Sequence, residues 1–468
     1  MLRRRINVLY FAPLALFPLL LKAGMCEKKP KDLKDTCFQH RCDGRRKGGA
    51  SWMRYTSRVV ENVKRVRESD LRAIYEDLSE ADCIILVGEG RSQGALFIGM
   101  GQINKTVRTV EDIDFPGRNI LDAAPKLERM HGKIVVLVNS GSGETPIPKI
   151  VAQQLAEYIE KTHSEKFKID AIVSNPDSSV GKIAKSFGSV VVLAGRDGES
   201  GKRKRGGSGE DSTRNSTADA SGAGGAGGAG VARVESEKDA REDGKKGEEK
   251  EDEEKEEADI LEIGIMNDIY ELGSLLILQK IKECINEGEG FECLTAAINE
   301  EAGAIRDVVS DFIRCELYGA IIDELERRNR IIIGGFGPAR HVAMMTAIRL
   351  QHVKRAIGDD AYLAGPFAPR PRAGDILFLI SWSGETLPLL EWCRKHKEIG
   401  GSVYSIVGNY STLAEQSKSF RLNAPVSVFY ERATFALSPL PLHLVERLRE
   451  RGFELPEYIM RWFHSIMQ

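Results

Sequence analysis

The chain has 468 residues, which is long for one hydrophobic core and suggests two domains or one domain with insertions. Its 42% hydrophobic content is enough for a sizeable core, and the formal net charge of -2 shows no basic excess that would favour a nucleic-acid partner. The eight cysteines include no C-x-x-C pair. They therefore indicate reduced thiols rather than a disulfide framework, as in a cytoplasmic protein.

Residues 1–52 form an N-terminal extension with two open interpretations. "MLRRR" followed by "INVLYFAPLALFPLLL" has the basic start and apolar stretch of a secretory signal or marginal anchor. Alternatively, Met53 is the functional start, because the first convincing helical pattern begins there. The cluster Cys37-x-x-His40-x-Cys42 has poor spacing for a closed zinc site, so we predict no metal.

From Ala81 onward, short apolar runs alternate with helical patterns. The runs that predict buried strands are "CIILVGEG" (83–90), "KIVVLVNS" (133–140), "DAIVSN" (170–175) and "SVVVLAG" (189–195). Helical stretches such as "IPKIVAQQLAEYIEKT" lie between them. This alternation predicts an α/β fold in which helices cover both faces of a parallel sheet.

The second part of the chain repeats the same order. The predicted strands are "RIIIGGFG" (330–337), "DILFLIS" (375–381) and "VYSIVGN" (403–409), and the predicted helices after them are "ARHVAMMTAIRLQHV", "LPLLEWCRKHKEI" and "STLAEQSKSF". An internal duplication of a whole α/β unit is the simplest explanation.

A low-complexity segment at residues 199–259 separates parts of the first unit. It is rich in Gly, Ala and Ser and then in charges, with too few apolar residues to offset the entropy of ordering. We predict a disordered acidic insertion. The first unit then comprises residues 53–198 plus 260–288, and the second comprises residues 289–468.

One phrase occurs in both units, as "SGSGETP" from Ser140 and "SWSGETL" from Ser381. Each copy follows a predicted strand and precedes a predicted helix. Its hydroxyls and glycine let backbone N–H groups approach an anion, and the helix N-terminus adds positive potential. The alternative is ordinary helix capping by one hydroxyl. Because the phrase is duplicated, we predict phosphate binding by six residues, namely Ser140, Ser142, Thr145, Ser381, Ser383 and Thr386.

These residues also carry a resemblance. A strand, a G-x-G turn and a strand ending in S-x-S-G-E-T resemble the sugar isomerase (SIS) domain of phosphosugar isomerases and phosphosugar-binding proteins. The resemblance implies two tandem flavodoxin-like units, each with a five-stranded parallel sheet, and phosphate on the S-x-S-G-x-T loop. Within the family, the 6-phospho-3-hexuloisomerase group has G-x-G-R-S, matched at residues 88–92, and R-L-x-H, matched at residues 349–352. Arg91 and Ser92 therefore become further candidates for phosphate binding.

The chain departs from that group's pattern in both units. Pro338 and Ala339 replace the Arg and Ser of the turn in the second unit, and the glutamate of the family's G-S-x-x-E helix falls on Ile277. Either the two units complete one composite site, or one or both sites bind without turnover.

The resemblance implies a phosphosugar aldose–ketose or keto–keto isomerase. Such a reaction needs a base beside an acidic C–H and a relay for protons on oxygen. We favour Glu431 and His352, with Glu271, His341 and His443 as further candidates. The alternative function is a non-catalytic phosphosugar sensor or regulator.

We expect a small-molecule sugar phosphate as the partner and no cofactor. The turn at residues 88–94 lacks the G-x-G-x-x-G spacing of a dinucleotide site, because Gln93 takes the place of the last glycine. We also expect an intramolecular pseudo-dimer of the two units, with a further homodimer left open.

Overall fold

The structure is a computed structural model that describes residues 49–110, 120–195, 268–327 and 329–453. The apolar stretch before residue 49 and the acidic insertion at 199–259 lie outside the described residues.

The first sheet has five parallel strands in the order β2-β1-β3-β4-β5. The strands are β1 (Cys83–Gly88), β2 (Thr106–Thr109), β3 (Ile134–Asn139), β4 (Phe167–Val173) and β5 (Val190–Val192). Gly88 pairs with Asn139, so β1 and β3 end side by side at the carboxyl edge of the sheet. The loops that follow these two strands are therefore neighbours.

The second sheet has the same arrangement, with the order β7-β6-β8-β9-β10. The strands are β6 (Ile331–Gly334), β7 (Ala361–Leu363), β8 (Ile376–Ser381), β9 (Ser402–Val407) and β10 (Lys418–Arg421). All of its strand pairs are parallel. The prediction of an α/β fold with two five-stranded parallel sheets is confirmed.

Helices cover both sheets. Those of the first half are α1 (Gly49–Lys64), α2 (Glu68–Glu80), α3 (Gly90–Met100), α4 (Ile120–Met130), α5 (Pro146–Thr162), α6 (Ser179–Phe187) and α7 (Asp268–Glu287). Those of the second half are α8 (Leu294–Arg314), α9 (Glu316–Glu326), α10 (Pro338–Ala356), α11 (Leu387–Glu398), α12 (Thr412–Gln416), α13 (Val426–Leu437) and α14 (Pro439–Glu450). Within the described ranges, none of these helices has the length and apolar character needed to span a bilayer.

Three strands were missing from the pattern of apolar runs: β2, β7 and β10. Each lies at an edge of its sheet, and all three are partly exposed. An edge strand has a neighbour on one side only, so it needs no continuous apolar run. Of the six interior strands, β1, β3, β6 and β8 are buried at every residue, and their sequences do show such runs.

The prediction of one helix over "STLAEQSKSF" was wrong in its second part. Helix α12 ends at Gln416, and β10 begins at Lys418. The hydroxyl of Ser405 on β9 hydrogen-bonds the hydroxyls of Ser417 (2.8 Å) and Ser419 (2.7 Å). These bonds hold the segment extended along β9, and a propensity argument does not detect them.

Both sheets contribute to one hydrophobic core. On β1, the side chains of Ile84 and Leu86 point into this shared core, whereas Ile85 and Val87 point into a separate core under α4, α5 and α6. Ile331 and Ile333 of β6 enter the shared core from the second sheet. The two halves therefore pack through a continuous apolar layer within one compact unit.

Helices α3 and α10 meet in this shared layer. A side chain at Gly94 would run into Met345, so the glycine allows the two helices to approach closely. Three residues later on α3, the ring of Phe97 stacks on His341 with centroids 4.4 Å apart.

A buried ionic cluster crosses the contact between the halves. Arg91 of α3 donates to Glu271 (2.6 Å) and to Asp268, both on α7, and to the backbone carbonyl of Met345 on α10 (2.7 Å). Arg349 of α10 donates to the same Glu271 oxygen at 2.8 Å. We call Arg91, Asp268, Glu271 and Arg349 the ionic cluster. The side chains of Arg91, Asp268 and Arg349 are each at most 5% exposed.

Replacing one cation of this cluster should destabilise the fold strongly. We expect Arg349→Met to lower the free energy of unfolding by about 3–5 kcal/mol, because two buried carboxylates would then share one guanidinium. The matched control is Arg394→Met on α11, where the side chain is 54% exposed and pairs with two exposed glutamates. This variant should lower the free energy of unfolding by about 1 kcal/mol or less, as measured by urea titration. Equal losses for the two variants would contradict a structural role for the cluster.

Candidate functional site

The first copy of the repeated phrase forms a short loop between β3 and α5, residues 140–145, which we call loop 1. The hydroxyls of Ser140 and Thr145 lie 2.9 Å apart in a hydrogen bond. The amide of Gly143 donates to Ser140 Oγ at 3.2 Å, and the amide of Glu144 donates to Ser142 Oγ at 3.1 Å. Every hydroxyl of the phrase is thus fixed in place.

The second copy, residues 381–386 or loop 2, lies between β8 and α11 and repeats these contacts. The hydroxyls of Ser381 and Thr386 are 3.3 Å apart. The amide of Gly384 donates to Ser381 Oγ at 3.1 Å, and the amide of Glu385 donates to Ser383 Oγ at 3.2 Å. One phrase therefore gives one loop geometry in both sheets.

The glycine of each loop is required by its backbone. Gly143 and Gly384 both have φ +66°, a region that residues with a Cβ rarely adopt. A Cβ at these positions would also collide with the hydroxyls of Ser178 and Ser411, respectively. Those two serines cap α6 and α12 by accepting hydrogen bonds from Gly181 and Ala414 amides. The loops thus pack directly on the next helix cap.

The glutamate of each phrase has a role that the sequence did not reveal. Glu144 accepts from the amide of Ser179 at 2.6 Å, and Glu385 accepts from the amide of Thr412 at 2.7 Å. Both amides belong to the first turn of the helix that follows the next strand. The repeated Ser-Ser at 178–179 and Ser-Thr at 411–412 was the available signal for this contact.

Helix capping does not account for the hydroxyls. Thr145 and Thr386 are the N-cap residues of α5 and α11, and neither side chain makes a capping hydrogen bond. Instead, the hydroxyls face one another across the loop. Hydroxyl donors beside a helix N-terminus form an arrangement that can hold a phosphate-type anion.

The loop geometry should depend on its glycine. We expect Gly143→Ala to lower the free energy of unfolding by about 1–3 kcal/mol, because the substitution combines an unfavourable φ with a collision at Ser178. Gly303→Ala on α8 is the matched control, since a Cβ there would meet nothing within 4 Å. That substitution should stabilise the helix by up to about 1 kcal/mol. Denaturant titration of both variants measures the difference, and an unchanged Gly143→Ala would refute the argument.

Loop 1 is connected to the ionic cluster through Asn139, the last residue of β3. Its amide nitrogen donates to the backbone carbonyl of Ser92 at 3.0 Å and to the hydroxyl of Ser274 at 3.1 Å. Ser92 follows Arg91 on α3, and Ser274 lies one turn after Glu271 on α7. In loop 2 the residue before Ser381 is Ile380, which cannot form such bonds.

The structure places Arg91 inside the ionic cluster. Burial disfavours the charged guanidinium of Arg91, but the negative charges of Asp268 and Glu271 stabilise it more strongly. The pKa of Arg91 is therefore raised. Arg349, from the R-L-x-H match, binds the same carboxylate. The structure therefore brings together the G-x-G-R-S element of the first half and the R-L-x-H element of the second.

His352 lies one turn after Arg349 on α10 and is half-buried. Burial lowers the pKa of His352 to about 4, and the positive charges of Arg349 and Arg91 act in the same direction. The imidazole is therefore neutral at pH 7, and the lowered pKa makes it a weaker base than a free histidine. The pKa of His341 is likewise lowered to about 4, mainly by burial, but its ring packs against Phe97.

Glu431 lies on α13 in different surroundings. It is 0% exposed, and neither carboxylate oxygen has a hydrogen-bond partner among the described residues. Burial raises the pKa of Glu431 well above its usual range, although Lys280 and Lys282 of α7 act in the opposite direction. In the part of the chain that is described, the structure does not join Glu431 to either loop by a hydrogen bond.

The raised pKa of Glu431 predicts a pH dependence of stability. A carboxyl that binds its proton more tightly in the folded state stabilises the fold at low pH and loses that stability as pH rises above the unfolded value of about 4.5. We expect Glu431→Gln to remove this loss, which is at most about 1.4 kcal/mol per pH unit. Glu300→Gln, at an exposed position on α8, is the control and should leave the profile unchanged. Urea titrations from pH 5 to 8 measure the slope, and parallel profiles for wild type and Glu431→Gln would contradict the assignment.

Sequence comparison finds no family model that matches the chain. It does find similarity to glutamine–fructose-6-phosphate aminotransferase (isomerizing) of Sulfolobus acidocaldarius, 28% identical over 127 residues, which are 27% of this chain and 21% of that protein. The 3-hexulose-6-phosphate isomerase of Methanocaldococcus jannaschii is 27% identical over 150 residues, which are 30% of this chain and 80% of that protein. The chain thus spans only about a fifth of the length of the aminotransferase.

A solved chain from Salmonella typhimurium LT2, provisionally named as a sugar binding protein, has a similar fold. The match covers 84% of this chain and 99% of that chain, with a TM-score of 0.50 and 11% identity. At this identity it shows the fold alone. The resemblance to SIS-domain proteins is confirmed: the sequence similarity covers part of the chain, and the fold similarity covers both sheets.

Proposed function

We propose that the chain binds a sugar phosphate on loops 1 and 2 and isomerises it between aldose and ketose, or between two ketose forms. The observation that carries the proposal is the geometry of the two loops. In each, three hydroxyls and a glycine with φ +66° lie at the carboxyl end of a parallel strand. Ligands of parallel α/β sheets bind at this edge. The names of the two curated relatives, both of which refer to hexose phosphates, support the same substrate class.

The surroundings of loop 1 favour it as the reacting site. Asn139 connects the loop to the starts of α3 and α7, where both arginines hold Glu271. In this proposal His352 of α10 is the base that takes a proton from a sugar carbon or hydroxyl, and its lowered pKa makes it a weaker base than a free imidazole. The first half would then hold the phosphate group, and the second half would provide His352 to the sugar that carries this phosphate. Arg91 already binds the carboxylates of Asp268 and Glu271. In this proposal it therefore holds Glu271 in place and does not bind the phosphate itself.

A catalytic role for Glu431 at loop 1 has less support. Its protonated form could donate to an oxygen, but it lies beside lysines of α7 rather than beside the ionic cluster. The family's glutamate position, Ile277, is 0% exposed within the shared core. This substitution supports the alternative function, in which the protein senses a phosphosugar and does not convert it.

We also propose that the two halves form an intramolecular pseudo-dimer. The shared core and the packing of α3 on α10 support this assembly. Further homodimerisation and the cytoplasmic location remain predictions.

Thermal unfolding with added phosphosugars tests the loops. We expect fructose 6-phosphate, glucosamine 6-phosphate or hexulose 6-phosphate to raise the melting temperature of wild type by a few degrees, since ligand at 100 Kd adds about 2.7 kcal/mol. Ser142→Ala and Ser383→Ala should each reduce the shift if its loop holds phosphate. Ser186→Ala, at an exposed position on α6, is the matched control and should retain the full shift. If neither loop variant weakens any shift, the phosphate sites are refuted.

Turnover of the stabilising sugar separates the two functions. An isomerase should convert it, and His352→Asn should lower kcat by about 100-fold or more while the thermal shift remains. Binding without turnover by wild type would favour the sensor. Equal activity of His352→Asn and wild type would exclude His352 as the base.

A further inference from the structure

Two cysteines lie together at the junction between the halves. Cys284 is in the last turn of α7, and Cys293 ends the short 3-10 turn Phe291–Cys293 that leads into α8. Their sulfur atoms are 2.7 Å apart. This separation is shorter than the roughly 3.5–4.0 Å of ordinary non-bonded contact, so the fold places the two sulfurs within reach of each other. Cys284 is buried at 2% exposed, and Cys293 is half-buried.

The chain reversal after α7 produces this approach. Gly288 has φ +71°, and the amide of Glu289 donates to the carbonyl of Cys284 at 2.9 Å. This pattern is typical of a helix end that turns back on itself. The amide of Cys293 then donates to the carbonyl of Gly290 at 3.2 Å. The sulfurs therefore meet because of backbone hydrogen bonds, not because of side-chain rotation alone.

Helix α2 fixes the reversed segment from outside. The hydroxyl of Tyr75 donates to the carbonyl of Glu289. Arg72 pairs with Glu292 at 2.9 Å, and its guanidinium lies 4.2 Å from the ring centre of Phe291. A segment held at three points keeps its two sulfurs close in the folded protein.

A metal ion is a poorer explanation of the same residues. Cys284, Glu289 and Cys293 place one ligand atom each within 4.8 Å of the others. However, two thiolates on a tetrahedral zinc ion, each about 2.3 Å from it, are about 3.8 Å apart. Burial also raises the pKa of both thiols, and a metal would need both as thiolates at the same time, whereas disulfide formation uses one thiolate at a time. The sulfur separation lies between that of a metal pair and the bonded distance of about 2.05 Å.

We propose that Cys284 and Cys293 form a reversible intramolecular disulfide when the protein meets a peroxide or a low-molecular-weight disulfide. With hydrogen peroxide, the more exposed Cys293 thiolate attacks one oxygen, which gives a sulfenic acid and hydroxide. Cys284 sulfur then attacks the Cys293 sulfur and displaces water. Overall, two thiols and one peroxide give one disulfide and two waters, so the thiols lose two electrons to the peroxide.

The bond would connect the end of α7, which carries Asp268 and Glu271 in its first turn, to the segment that begins the second half. Closing a loop of this kind restricts the unfolded chain, so oxidation should stabilise the folded state. Because both thiols have raised pKa values, we expect oxidation to be faster at higher pH.

Peptide mapping of the full-length wild-type protein tests the proposal directly. No Lys or Arg lies between Glu283 and Arg306, so trypsin leaves both cysteines in one peptide, residues 283–306. After treatment with peroxide or oxidised glutathione, this peptide should resist alkylation and be about 2 Da lighter than its reduced form, since two hydrogens are lost. Dithiothreitol should restore two alkylation sites.

Controls distinguish the bond from general oxidation. Oxidised wild type should melt a few degrees above reduced wild type, whereas Cys293→Ser should show no such difference. Cys315→Ser, which removes another partly buried thiol, should retain it. A peptide with two free thiols after oxidant treatment would overturn the proposal. So would a stoichiometric metal, detected by elemental analysis, that protects both thiols until a chelator removes it.

Discussion

The structure depends on how four charges are buried where its two halves meet. Arg91 and Arg349 come from different halves, and both bind Glu271, while Asp268 shares them. Each of these ions would be unfavourable in an apolar layer without the others. The apolar core brings the halves together, and the ionic cluster restricts them to the arrangement in which its charges are matched. The position of α3 relative to α10 follows from that restriction.

The central strands and the two loops were predictable from sequence because their signals are local. An apolar run marks a strand buried on both faces, and S-x-S-G-E-T marks a loop whose hydroxyl groups hydrogen-bond within the phrase itself. The edge strands β2, β7 and β10 lack that signal, because solvent replaces a neighbour on one side. Their existence followed from the family resemblance rather than from their residues.

The surroundings of each candidate site were not predictable, because they combine distant residues. Glu431 lies beside Lys280 and Lys282, about 150 positions earlier in the chain. Arg91 was expected to face phosphate, but its partners are carboxylates of a helix that follows a long insertion. No spacing rule connects such residues. The G-x-G-R-S and R-L-x-H elements indicated a composite site, and the structure shows the contact through which the two elements meet.

The contact of Glu144 and Glu385 with the neighbouring helix has a consequence for ligand binding. Each carboxylate ties its loop to the first turn of α6 or α12, and the glycine beside it packs on the serine that caps the same helix. Such a loop is held in one conformation by contacts within the protein itself. A phosphate would then lose little affinity to ordering the protein, because that entropy was already lost when the chain folded. Selectivity among sugars must in that case come from groups outside the loops, which are the groups in which the two halves differ.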